Sequence, residues 1–105
     1  MKKIIEGKRY NTDTAEKIAN FWNGCFQSDF NHESERLYRT KLGNWFIHGE
    51  GGALSAYSVS YQGGRSLGGG EDIRVLSAAE ARKWLELHNE ADAIEKWFAL
   101  EIKDA

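Results

Sequence analysis

A chain of 105 residues and 11.9 kDa is one domain. Its composition, 41% hydrophobic with four Trp, supports a core without metal or disulfide staples, and the single Cys25 excludes an internal disulfide. Fourteen basic and 16 acidic side chains leave a net charge of −2 and no dominant basic patch, which argues against direct nucleic-acid binding. No apolar run is long enough to span a bilayer, and Met1-Lys2-Lys3-Ile4-Ile5-Glu6 lacks a signal peptide's apolar stretch. These features, with the lack of cystine, predict a cytoplasmic, soluble protein with no membrane partner.

In chain order, Ile4 to Tyr10 reads as a tight hairpin with Gly7 at a positive-φ position. Asn11-Thr12-Asp13 looks like a helix start, and Asp13 with Glu16 matches a capping box. Ala15, Ile18, Ala19 and Trp22 recur at i, i+3, i+4 and i+7, which predicts a first helix from about Asp13 to Asn23, closed by Gly24. Cys25 to Glu33 is a polar connector carrying Phe26 and Phe30. Glu35 to Thr40 alternates charged and apolar residues, Lys41 to Asn44 is a turn, and Trp45-Phe46-Ile47 suits a strand covered on both faces. Ala53 to Tyr61 fits one helical turn followed by extended chain. Gln62 to Gly70 holds five of the eleven glycines and reads as a mobile loop. Asp72 to Leu76 alternates as a last strand, Ser77 to Glu80 forms the best capping box, and Ala81, Trp84, Leu85 and His88 follow at helical spacing. The pattern breaks at Asn89 to Asp92 and resumes with Ile94, Trp97 and Phe98. The expected fold is therefore α+β, a small, largely antiparallel sheet packed by an N-terminal helix and a C-terminal helix pair, in a single domain over residues 1–105.

Candidate chemistry is sparse. His48 and Glu50 share a strand face, but a zinc site needs three or four ligands, and only His32 and Cys25 lie near in sequence. Gly49-Glu50-Gly51-Gly52 lacks the Gly-Lys-Ser/Thr ending of a P-loop, so structural glycines are the simpler account. Cys25 and His48 have no third group to orient them as nucleophile and base, and the serines lack a nucleophile-elbow context. No enzyme activity, metal or cofactor is expected. From Glu71 onward nine acids face five bases, which favours a basic protein surface as partner. The candidate partner-binding residues are Glu86, Glu90 and Glu95 on the acidic helices, with Tyr57, Tyr61 and Arg65 in the less regular stretch before them.

The run Lys3 to Thr12, Gly43-Asn44-Trp45-Phe46, Gly49-Glu50-Gly51-Gly52 and the Leu76 to Ala81 helix start together resemble small phage and mobile-element accessory proteins of the anti-CRISPR type. The resemblance implies a non-enzymatic protein inhibitor that binds and blocks an RNA-guided CRISPR effector, and it carries over no catalytic residues. It leaves Gln62 to Gly70 and the helix pair as the parts that would select a partner. The alternative is a nucleic-acid-binding accessory protein that uses Lys2, Lys3, Lys8 and Arg9 of the N-terminal hairpin with Arg36 and Arg39. A small hydrolase ranks third.

Overall fold

The computed structural model describes residues 1–61 and 66–105, with Tyr61 by its backbone alone. Strands β1 (Lys2–Ile5) and β2 (Lys8–Asn11) form a hairpin turned at Glu6 and Gly7, both at positive φ. A four-stranded antiparallel sheet follows in the order β3-β4-β5-β8, from β3 (Glu16–Trp22), β4 (Glu33–Arg39), β5 (Trp45–Gly51) and β8 (Gly70–Leu76). Between β5 and β8, a run of turns over residues 53–57 leads into a small ladder of β6 (Val59–Tyr61) and β7 (Ser66–Gly68). The chain ends in α1 (Ala78–Leu87), α2 (Ala91–Trp97) and a 3-10 turn at Ala99–Glu101. Of the glycine-rich loop expected over Gln62 to Gly70, residues 62–65 lie outside the described residues.

The expected N-terminal helix is a strand. β3 pairs with β4 along its whole length, and the register slips between Lys17 and Ala19, so Ile18 is an extra, bulged residue. That bulge explains the misleading period. Ala15, before it, packs on one side of the sheet with Tyr10 and Tyr38, whereas Ile18, Ala19 and Phe21 pack on the other. One inserted residue in a two-residue repeat imitates the i, i+3, i+4 spacing of a helix. Trp22, the fourth supposed helical anchor, is 55% exposed, and its Nε1 donates to the Cys25 carbonyl at 2.6 Å. The Asp13–Glu16 box does not form; the Asn11 Oδ1 accepts the Asp13 N–H at 2.9 Å in a turn. A short helix is marginal by itself, and pairing with β4 outweighs it.

The central hairpin matches expectation. Leu37 opposes Ile47, Tyr38 opposes Phe46 and Arg39 opposes Trp45, and directly opposed residues share a face. One face therefore carries Ala19, Leu37, Trp45 and Ile47 under Ala81, Trp84, Leu85 and Phe98 of the helical segment. The other carries Tyr38, Phe46 and Ile73 under Tyr10 and Ile5 of the β1–β2 hairpin. β5 is buried from both sides, as its run of bulky residues requires.

The helix pair also follows its sequence. Ser77 accepts the Glu80 N–H at 3.1 Å while the Glu80 carboxylate accepts the Ser77 N–H at 2.9 Å, completing the capping box. Asn89, at φ 57°, ends α1: the Glu90 N–H reaches the Leu85 carbonyl at 2.9 Å and the Asn89 N–H the Glu86 carbonyl at 3.2 Å. This is a Schellman closure with asparagine in the left-handed position, and it folds α2 back along α1.

Candidate binding surfaces

The loop end of the helix-covered face is built around Glu35. Glu35 opposes Gly49, and Tyr57 lays its ring over that glycine. The Tyr57 hydroxyl donates to one Glu35 oxygen, and Trp84 Nε1 donates to the other at 2.9 Å. The Arg74 guanidinium lies 4.3 Å from the centre of the Tyr57 ring, and its Nη2 donates to the Ala56 carbonyl at 2.8 Å. Tyr57 is only 3% exposed, so it is an interior strut and does not present itself to a partner. Burial, reinforced by the adjacent carboxylate, pushes its hydroxyl pKa far above the ordinary 10, so it stays protonated at neutral pH and keeps its bond to Glu35. The cluster ties the 53–57 turns and α1 to the sheet.

His88 stacks on Phe21 at 4.0 Å and meets Trp84 edge-on at 4.4 Å, with Glu35 and Glu90 as its nearby charges. Burial holds its pKa below the ordinary 6.5, and the two carboxylates oppose that shift without reversing it. The unfolded chain therefore takes up this proton first, so stability is complete above pH 6.5 and declines as the pH falls towards the folded value. The Arg36 hydrogen bond to Glu50 and the Lys3 hydrogen bond to Asp72 lower those carboxyl pKa values, giving losses of the same sign in the acid range below the ordinary 4.5 and 3.8. Urea titrations between about pH 7.5 and 3 should show a first decline, above about pH 5, that His88→Gln removes, with the acid decline intact. An undiminished first decline in His88→Gln would assign it elsewhere.

The remaining histidines are engaged locally. His48 Nε2 lies 2.9 Å from Glu71 Oε2, and Glu50 turns instead to Ser34 and Arg36. His32 Nδ1 meets the Cys25 carbonyl at 2.9 Å. Among the described residues, no three His, Cys, Asp or Glu side chains come together as metal ligands. Gly51 and Gly52 serve close packing. A Cβ on Gly51 would stand 2.1 Å from Ser55 Oγ, and one on Gly52 2.5 Å from the Phe30 carbonyl oxygen. An open cleft of about 680 Å³ lies beside them, lined in part by Asp29, Phe30, His32, Glu50, Leu67 and Glu71.

The helix pair carries a second concavity, about 490 Å³, and it gathers two of the candidate partner-binding residues. Glu86 of α1 and Glu95 of α2 line it with Glu101, around Ile94 and Ile102. Arg82 stands 3.4 Å from both Glu86 and Glu101 and ties the rim together. Glu90 is half-buried at the N-cap of α2, outside the groove. Arg65 and the Tyr61 side chain lie outside the described residues, so the structure unites Glu86 and Glu95 and separates them from Tyr57. Sequence reasoning missed Arg82, Ala91, Ile94, Glu101, Ile102 and Lys103 as groove residues. The i, i+4 spacing of Arg82 and Glu86 is the one signal that could have joined Arg82 to a residue already named.

No helix among the described residues is long and apolar enough to cross a membrane. No protein-family model, curated protein or solved structure matches this chain.

Proposed function

We propose that this chain is a non-enzymatic binding protein that docks through the α1–α2 groove onto a basic protein surface, and that its partner is an RNA-guided CRISPR effector. The observation that carries the docking surface is the placing of Glu86, Glu95 and Glu101 around exposed Ile102 and half-buried Ile94. An apolar floor inside a charged rim is the usual anatomy of a protein interface. Residues 78–105 hold seven carboxylates (Glu80, Glu86, Glu90, Asp92, Glu95, Glu101, Asp104) and four cations (Arg82, Lys83, Lys96, Lys103), so the surface attracts positive charge. The effector as partner rests on the anti-CRISPR resemblance. The residues carrying that resemblance include scaffold positions such as Trp45 and Gly49, which leaves the helix surface free to specify the partner.

The test is inhibition of target cleavage by CRISPR effectors, with melting temperature measured in parallel. Glu86→Lys combined with Glu95→Lys should weaken inhibition by about tenfold, chiefly through slower, salt-sensitive association. Stability should change little, because surface substitutions usually cost under about 0.5 kcal/mol. Loss of inhibition in Arg9→Glu alone, with the double variant fully active, would move the docking face to the N-terminal hairpin.

A further inference from the structure

Several basic residues of the N-terminal half are already engaged. Lys3 is paired with Asp72 at 2.6 Å and Arg36 with Glu50 at 3.2 Å, while Arg39 lies over Trp97 at 4.8 Å. Lys8 and Arg9, at the start of β2, are exposed and have no carboxylate within 4.0 Å among the described residues. The fold brings a third such cation to them. The Thr40–Asn44 turn between β4 and β5 stands beside the β1–β2 hairpin, and Lys41 joins Lys8 and Arg9 around a cleft of about 420 Å³.

The rest of the lining is uncharged, with Gly7, Tyr10 and Leu42 beside four polar residues. Asn11, Thr14, Thr40 and Asn44 contribute amides and hydroxyls, and no carboxylate lines the cleft. The other four clefts described each include at least one carboxylate. Glu6 and Asp13 belong to adjoining turns and do not line this one. The Asn11 Oδ1 already accepts the Asp13 N–H, which leaves its Nδ2 as a donor. The turn is pinned by the Gly43 N–H on the Thr40 carbonyl at 2.9 Å and the Asn44 N–H on Thr40 Oγ1 at 3.0 Å. The N–H groups of Lys41 and Leu42 make no hydrogen bond among the described residues. A recess with three unpaired cations, neutral donors and no opposing acid matches the demands of a phosphate group.

We propose that this cleft binds the phosphates of a nucleic-acid backbone. Tyr10, the one aromatic in its lining, is buried in the core beneath, so no ring is available to stack on a base. Contact is therefore with the backbone and independent of sequence. The proposal stands apart from the docking groove, since cleft and groove share no residue. It also departs from the expectation, drawn from overall charge, that the chain avoids nucleic acid. Net charge does not register a Lys41 that joins Lys8 and Arg9 only on folding.

The experiment is fluorescence anisotropy of the full chain with a labelled single-stranded RNA of about 20 nucleotides, between about 50 and 200 mM salt. Lys8→Glu with Lys41→Glu should weaken binding at least about tenfold. The log–log salt slope should shrink by about 1.4, at roughly 0.7 per lost contact on a single strand. Lys83→Glu with Lys96→Glu makes the same charge change on the helix pair and should cost much less. Lys8→Arg with Lys41→Arg should restore most of the affinity, and melting temperatures check that every variant is folded. If the glutamate pair unfolds the chain, Lys8→Gln with Lys41→Gln removes both charges without adding any. Equal losses in the cleft and helix variants, or no RNA binding by the unaltered chain, would overturn the proposal. So would cleft-dependent binding of inorganic phosphate or phosphatidylserine vesicles without binding of RNA. Failure here would leave the inhibition results for Glu86 and Glu95 unaffected.

Discussion

Replacing Trp45 with alanine is expected to destabilise the domain by roughly 3–5 kcal/mol, the range for removing a fully packed large aromatic. Trp45 is 5% exposed on the helix-covered face of β5. Its ring stacks on Phe98 at 5.3 Å and meets Trp97 edge-on at 6.0 Å, while the Arg39 guanidinium lies 5.7 Å from its centre. These contacts join the sheet to the end of α2, so the truncation opens a cavity and also frees the last helix. Domains of this size are stable by only about 5–15 kcal/mol, so the loss is a large fraction of the whole. Urea denaturation should show a much lower midpoint at an unchanged slope. Trp45→Phe should recover part of the loss, because a smaller ring can still stack on Phe98. A loss in Trp45→Ala below about 1 kcal/mol would mean that this face is not the main core.

Gly49→Ala is expected to cost about 3 kcal/mol, although it adds a single methyl group. A Cβ at Gly49 would lie 2.0 Å from Tyr57 Cζ and 2.1 Å from its hydroxyl oxygen. Gly49 cannot withdraw, since it is hydrogen-bonded into the sheet between Glu35 of β4 and Asp72 of β8. The Tyr57 ring must move instead, giving up its bond to Glu35 and its cover by Arg74. A double-mutant cycle isolates that cause. In a Tyr57→Ala background, Gly49→Ala should become neutral or mildly stabilising, because alanine is the better strand residue once the ring is gone. An undiminished cost in that background would place the strain in the backbone.

How much of this was legible in the sequence depended on the range of the interactions concerned. The β1–β2 turn, the Glu35 to Thr40 and Trp45 to Ile47 strands, the Ser77 capping box and the break near Asn89 are local signals. They depend on φ preference, residue alternation and side chains reaching three or four positions along the chain, and all stand in the structure. The first helix failed because a bulge at Ile18 changes which face of β3 is buried, and that bulge exists only by pairing with β4. Tyr57 read as an exposed anchor because nothing in its neighbourhood reveals that Gly49, eight positions earlier, leaves room for its ring.

The candidate sites divide in the same way. The acidic excess after Glu71 and the helical stripe through Ile94 belong to the sequence itself, since composition and periodicity survive any arrangement of the chain. The closing of Glu86, Glu95 and Glu101 around Ile94 and Ile102 is tertiary, set by the Asn89 turn that folds α2 along α1. Lys41 likewise reads as one more polar residue in a turn. Only the docking of the β1–β2 hairpin on Tyr38, Phe46 and Ile73 carries Lys8 and Arg9 to it. Thirty-two positions of chain separate Arg9 from Lys41, and no local rule spans that distance. Burial of the Tyr10 ring spans it, by holding the hairpin against the sheet.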